Sequence, residues 1–223
     1  MYKYEMHCHT SETSKCGKST GAEMARLYHD LGYTGLFITD HFLTSPSTAV
    51  PKDLPWEERI ERFCKGYNSA KAEGDKLGLD VFFGFEHGFG CAHLLTYNIG
   101  KDWLLAHPDM LEWDMVDYCK RIRADGGCVV HAHPFYEGVE YVQLVPFTVD
   151  AIESPNAGHT DEFNEYARKY AEMFGLPLTA GTDNHNILNK HLCSIEVPER
   201  FVTSADYLKA IRSGTVKTFT LDR

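Results

Sequence analysis

The sequence predicts an α/β barrel, a ring of largely parallel strands covered by helices, with its functional groups gathered at one rim. Three observations carry this expectation. Short apolar runs alternate with stretches of helical periodicity along the chain, the pattern of a parallel sheet or barrel. A polar cluster follows almost every apolar run, as happens where an α/β barrel builds its site from C-terminal strand ends and the loops after them. The 223 residues are enough for one sizeable core, so a single domain over residues 1–223 is expected.

Tyr2–Met6 reads as a short strand delivering His7. Ser19 or Thr20 can cap a helix reaching about Leu31, with Met24, Leu27 and Leu31 on one face, and Gly32 ends it. Gly35–Thr39 is a buried strand running into Asp40-His41. Thr44–Leu54, rich in Ser, Thr and Pro, is a loop. Pro55 suits the first turn of a helix from about Trp56 to Leu77, with Ile60, Phe63, Tyr67 and Ala70 along one side. Val81–Phe85 is a strand ending at Glu86, and Ala92–Asn98 a strand containing His93. A helix is expected from about Glu112 to Ala124, then a strand over Cys128–Ala132 leading to His133-Pro134. Asp150–Glu153 is a further strand. Asp161–Phe174 is a helix stopped by Gly175, and Pro177–Ala180 leads into Gly181-Thr-Asp183-Asn-His185. The tail holds a helix from about Ser204 to Arg212 and a strand near Val216–Thr220. Six or seven strands are expected in all.

Apolar content of 43% and charged content of 24% place the chain with ordinary globular proteins. A formal net charge of −10 argues against a general polyanion-binding surface, although bound divalent cations would offset some of it. The seven cysteines are odd in number and show no C-x-x-C pair, so neither a disulfide framework nor a zinc finger is expected. The start, MYKYEMHCHT, lacks the apolar stretch of a signal peptide. No apolar run approaches the ~18 residues of a membrane span. A reduced cytoplasmic protein without a membrane partner is the expectation.

The twelve histidines are the main chemical signal. His7-Cys8-His9, Asp40-His41, Glu86-His87, His93, His131-Ala132-His133 and Asp183-Asn184-His185 span the chain, so only folding could gather them. Imidazoles and carboxylates collected at strand ends are the composition of a multinuclear metal site, and a metal-dependent hydrolase is the first expectation. In a strand, residues i and i+2 share a face, so His7 and His9 can meet one ion. Asp40 and His41 point to opposite faces, so at most one ligates directly and the other orients neighbours. Glu86 ends a very apolar run and needs a cation or several donors. A carboxylate can bridge two ions, so Glu86 is the candidate bridge, while His87 points away. His131 and His133 share a face on the same alternation. His133 is preferred as ligand, with His131 as its support or alternative. Asp183 and His185 form an acidic counterpart to the first pair. His29, His107 and His191 have surface contexts. His159, after the Asp150–Glu153 strand, is placed to reach the site mouth. Gly17-Lys18-Ser19 resembles the end of a phosphate-binding loop, but Glu12 stands where that motif needs Gly.

The ordered set MHCHTSETSKCG, GLFITDH, GFE, AHLL, VVHAHPF and GTDNH resembles the PHP (polymerase and histidinol phosphatase) family of metal-dependent phosphoesterases, over residues from about 4 to 190. The resemblance implies a distorted (β/α)7 TIM-like barrel with two or three divalent ions, zinc, manganese or iron, at the C-terminal rim. His7, His9, Glu86 and Asp183 would hold one ion. Glu86, His93 and His133 would hold a second, and His41 with His185 a third. Some members place His or Asp in the loop after the second histidine. This chain has Ser14, Lys15, Cys16 and Gly17 there, and Glu12 is the preferred substitute, with Cys16 the alternative. The implied reaction is hydrolysis of a phosphomonoester or short phosphodiester by a metal-activated hydroxide. Lys15 and Lys18 are candidate phosphate contacts and His159 a candidate catalytic group. A small phosphorylated substrate is favoured. The rivals are a nuclease acting on nucleic-acid ends, which the acidic balance disfavours, an amidohydrolase, which also has H-x-H after its first strand, and a non-enzymatic domain that keeps the metal site.

Overall fold

The structure is a computed structural model and describes all of residues 1–223. Nine strands form one sheet: β1 (Tyr2–Glu5), β2 (Gly35–Ile38), β3 (Asp80–Phe89), β4 (Ala92–Tyr97), β5 (Cys128–Ala132), β6 (Ala151–Asn156), β7 (Leu178–Gly181), β8 (His191–Val197) and β9 (Lys217–Asp222). Their order is β7-β6-β5-β4-β3-β2-β1-β8-β9. The sheet curls into a nearly closed barrel because the chain beyond β7 returns to the chain beyond β1. There Cys8 bridges Asn184, with His9 N–H donating to Asn184 O at 2.9 Å and Asn184 N–H to His7 O at 2.9 Å. The seam thus lies between the first and last histidine clusters.

The expected barrel is present, with two corrections to its strands. β4 is antiparallel to both neighbours, because only Gly90 and Cys91 join it to β3 and so short a turn can only reverse the chain. This reversal puts the start of β4, with His93, at the rim where the parallel strands end. The sequence reading also lacked β8, which is buried on both faces and therefore has no alternation to read. β8 and β9 are antiparallel additions beside β1.

The helices are α1 (Gly21–Asp30), α2 (Trp56–Phe63), α3 (Lys65–Leu77), α4 (Lys101–Ala106), α5 (Met115–Ala124), α6 (Asp161–Phe174) and α7 (Ala205–Ser213). Thr20 caps α1 in a reciprocal box with Glu23. The helix expected from Trp56 to Leu77 is two, broken at Cys64. The Thr13 hydroxyl sits in the break, donating to Phe63 O at 3.2 Å and accepting from Gly66 N–H at 3.3 Å. Gly66 is required there: a Cβ would lie 1.9 Å from Thr10 Oγ1 and 2.5 Å from Asp40 Oδ2. α4 was not anticipated, and α5 begins three residues later than expected, capped by Asp114. No helix is long and apolar enough to cross a membrane.

Alternation along the strands sorts the core. Tyr4, Met6, Phe37, Leu95, Tyr97 and Val130 fill the barrel, joined by Tyr207 and Ile211 from α7. α1 and α3 cover Leu36, Ile38 and Val81 outside, while α5 and α6 cover Leu94, Val129 and Ile152. Tyr207 packs against Phe37, Tyr97 and Phe201, and its hydroxyl donates to Thr179 Oγ1 at 2.9 Å. One end of the barrel is thereby plugged with aromatic rings, and only the opposite rim is free to hold polar groups. Tyr207→Ala is expected to cost about 3–5 kcal/mol, read as a lower urea midpoint, while the folded protein keeps its metal content because the plug lies at the far end.

Candidate metal centre

Six of the proposed ligands, all histidines, converge on the two carboxylates of Glu86 and Asp183. Glu86 points inward from β3, on the face it shares with Leu95 of β4. Its Oε1 lies 3.0 Å from His93 Nδ1 and 3.2 Å from His133 Nε2. Its Oε2 lies 2.5 Å from His41 Nδ1 and 3.8 Å from His9 Nε2. Each oxygen thus faces a different set of imidazoles. Asp183 Oδ1 lies 3.4 Å from His7 Nε2, 3.0 Å from His9 Nε2 and 3.5 Å from His185 Nδ1, and Oδ2 is 3.9 Å from His133 Nε2. Four overlapping triads have ligand atoms within 4.8 Å of one another: His7/His9/Glu86, Glu86/His93/His133, His7/His133/Asp183 and His9/His41/His185.

Local geometry explains the convergence. His7 and His9 flank Cys8, whose N–H is held by Thr39 Oγ1 at 2.9 Å in extended backbone, so both rings face inward. His133 and Asp183 are two of the three non-glycine residues with positive φ, at 27° and 53°. Such conformations are costly and cluster at functional sites. Here each turns the chain as it leaves its strand and directs a polar side chain into the centre.

The positive φ at His133 overturns the expectation that His131 and His133 share a face. His131 pairs with Leu94 and Ile152 on the outward face, under Tyr170 of α6, and neither ring nitrogen has a hydrogen-bond partner. It does not support the site. Burial and the nearby His133 push its pKa down to about 3, so it is a neutral core residue. Glu12 is also elsewhere: its carboxylate accepts from Gly21 N–H at 3.0 Å, because the start of α1 offers free N–H groups. Lys15 is exposed and donates to Pro46 O, and Lys18 is exposed. His87 faces outward among Phe42, Phe89 and Tyr118. His159 stands at the mouth, its ring centroid 5.0 Å from that of His133.

Asp40 organises the loop after His9. It accepts from Thr10 N–H at 2.6 Å, Thr10 Oγ1 at 2.7 Å and Ser14 Oγ at 2.7 Å, and Ser14 Oγ lies 3.5 Å from His9 Nδ1. The sequence reading missed Glu153, which accepts from His7 Nδ1 at 2.9 Å, fixing that ring with Nε2 toward the centre. Like Glu86 it is a buried carboxylate inside an apolar strand, the signal that could have found it. Gly181 makes room for it, since a Cβ there would lie 2.2 Å from Glu153 Oε1. Cys16, the alternative to Glu12, is a free, half-buried cysteine in the loop after His9.

The titration pattern describes a site of mutual neutralisation. Burial would lower the pKa of His7, but Glu153, Asp183 and Glu86 outweigh it and raise it to about 10. At His41 burial is likewise outweighed, by contacts with Cys16 and Glu86, and the pKa rises to about 11. Burial would raise Glu86 and Asp183, yet the surrounding imidazoles hold both well below the usual carboxylate range. Glu86 Oε2 and Asp183 Oδ1 are nonetheless buried without an aligned donor. Acceptors without aligned donors, facing imidazoles in a largely buried cluster, fit divalent cations.

No family model matches the chain, and no curated protein does. Solved structures do. A two-domain protein from Bacteroides vulgatus containing a predicted PHP-like metal-dependent phosphoesterase aligns with TM-score 0.72 at 13% identity, over 98% of this chain. This chain spans 64% of that protein's length. A provisionally assigned metal-dependent phosphoesterase from Bifidobacterium adolescentis aligns with TM-score 0.59 at 15% identity, over 96% of both chains. An amidohydrolase from Chromobacterium violaceum, with bound sulfate and no metal, aligns with TM-score 0.59 at 14% identity, over 96% of this chain and 97% of its own. At these identities the likeness establishes the fold, a PHP-type TIM-like barrel.

Glu153→Gln, which keeps the shape but removes the charge behind His7, is expected to weaken metal binding about 10–100-fold, measured by competition with a chromophoric chelator. Metal must displace the protons that the raised pKa values of His7 and His41 place on those rings at neutral pH. Affinity should therefore rise with pH, and binding should release protons. Calorimetry in buffers of different ionisation enthalpy reads that release, and a buffer-independent heat would contradict it.

Proposed function

We propose that this chain is a PHP-family metal-dependent phosphoesterase acting on a small phosphomonoester or short phosphodiester. The reading is carried by Glu86, a buried carboxylate whose two oxygens face separate imidazole sets, the arrangement a bridging ligand between two cations needs. His7, His9, Glu86 and Asp183 would hold one cation, Glu86, His93 and His133 a second, and His41 and His185, with His9, a third. Cations so held supply Lewis acidity toward phosphoryl oxygens and make a water acidic enough to attack near neutral pH.

The chain's own groups serve this reaction in distinct ways. Glu153 keeps the His7 proton on Nδ1, leaving Nε2 as a donor toward the centre. Burial and the charge of His133 lower the His159 pKa to about 4. A neutral imidazole at the mouth can hydrogen-bond a phosphoryl or departing oxygen. A recess of about 190 Å³ between Thr44–Pro46 and Gly88–Gly90 opens on Glu86, His41 and His93. A second, of about 270 Å³, places Lys190 and His191 beside Asp183. With Lys15 engaged by Pro46, Lys190 is the better candidate phosphate contact. Recesses of this size favour a phosphoryl group with a small substituent over a duplex, in keeping with the net charge of −10.

An amidohydrolase is the second reading, favoured by the Chromobacterium structure. A single panel separates the readings: phosphate release from p-nitrophenyl phosphate, mononucleotides and 5′-phosphorylated DNA, beside amide hydrolysis. Phosphate release from the small esters, abolished by chelation and restored by zinc or manganese, is expected. His93→Ala, at the partly exposed edge of the centre, should lower kcat/KM by about 10³-fold, the loss of several kcal/mol of metal assistance. Amide cleavage without phosphate release would overturn the reading.

A further inference from the structure

We propose that Tyr136 binds the substrate: its hydroxyl, held against His93, donates to a phosphoryl oxygen of the ester. The proposal rests on the reading that the cluster holds divalent cations and cleaves a phosphoester, and it concerns a group that is not itself a ligand.

Tyr136 lies in the loop that leaves β5. Its N–H donates to His133 O at 3.0 Å and Gly138 N–H donates to Phe135 O at 3.0 Å, two tight turns that fold the loop back onto the rim. The loop is fastened on its other side. Phe135 packs on Tyr166 of α6, ring centroids 5.7 Å apart, and Val145 N–H donates to Tyr170 Oη at 3.0 Å. The half-buried Tyr136 ring therefore rests against the rings of His93 and His133, at 4.8 and 4.9 Å. His159 also stands against His133, at 5.0 Å, and its ring is 6.0 Å from that of Tyr136. The two residues border one patch of the mouth.

His93 decides which way the hydroxyl works. Its Nδ1 faces Glu86 Oε1 at 3.0 Å and its Nε2 faces the Tyr136 hydroxyl oxygen at 3.3 Å. With Nδ1 used as a ligand beside Glu86, the one proton of the neutral ring resides on Nε2 and is donated to Tyr136 Oη. A hydroxyl that accepts this bond keeps its own proton for another acceptor. The substrate supplies one. A phosphoryl group presents several charged oxygens, and those that face no cation need N–H or O–H donors. The ligand set offers none at that point, since ionised Glu86 and Asp183 only accept and a ligating imidazole spends its lone pair on the cation. Tyr136 brings a donor to the same rim on a loop held by its own turns and by α6.

The test loads the protein with Zn²⁺ and titrates it with inorganic phosphate in a calorimeter. Tyr136→Phe, which keeps the ring and removes the donor, should weaken phosphate binding about 10–100-fold. It should lower kcat/KM for small phosphoesters by a similar factor, with metal content unchanged. Glu137→Gln, next in the chain and exposed, should weaken neither. In the unaltered protein, phosphate should slow nitration of Tyr136 by tetranitromethane, read by peptide mass spectrometry, and leave Tyr141, 63% exposed on the same loop, unprotected. Equal phosphate affinity in Tyr136→Phe, loss of a metal equivalent from that variant, or nitration indifferent to phosphate would overturn the role of Tyr136 and leave the phosphoesterase reading standing. An unaltered protein that neither binds phosphate nor releases it from esters would overturn both.

Discussion

Burial of the Glu86 carboxylate is the constraint around which the rest of the molecule is arranged. A carboxylate removed from water inside an apolar strand is strongly disfavoured unless donors or cations surround it. Imidazoles do so here from the ends of β1, β2 and β5 and the start of β4, and the end of β7 brings Asp183 and His185 beside them. Those segments meet only because the sheet curls and the chain beyond β7 hydrogen-bonds back to the chain beyond β1. Barrel closure and site assembly are therefore one event. The low pKa of Glu86 beside the high pKa of His41 describes the same fact, charge that must be matched within the rim.

Three other buried carboxylates make the rim rigid, each by a different route. Glu5 accepts from His7 N–H and Thr182 N–H, both at 2.9 Å, and from Tyr28 OH at 2.8 Å, tying β1 to the turn before Asp183 and to α1. Glu153 fixes the His7 ring, and Asp40 fixes the loop that carries Ser14 and Cys16. Gly66 and Gly181 are the matching concessions, positions where a side chain would collide with Asp40 or Glu153. Ligands mounted this way are held by strands and saturated hydrogen bonds rather than by mobile loops, as a site with precise donor positions requires. At the other end, the aromatic residues packed around α7 make an apolar floor beneath the polar cluster.

The fold is shared with proteins that differ in assigned chemistry, phosphoesterases and an amidohydrolase among them. A barrel of this kind hosts many reactions, so the reading of function rests on the donor set.

Much of this was legible in the sequence, for a physical reason. Alternation and helical period are local, and Cys128–Ala132 and Asp161–Phe174 are strand and helix over the residues expected. Two imidazoles one residue apart after a strand end, as at His7 and His9, declare a shared face without reference to the rest of the chain. A strand buried on both faces, such as β8, carries no such signal. Other features were decided only by the tertiary structure. Whether His131 or His133 enters the centre depends on one backbone angle beyond the strand. That Glu12 stays away from His41 depends on its carboxylate meeting the free N–H of Gly21 at the start of α1. The sequence by itself determined which residues had the chemistry for a metal centre and which elements would carry them. Their final grouping came from distances between segments far apart in the chain, and local periodicity holds no information about those.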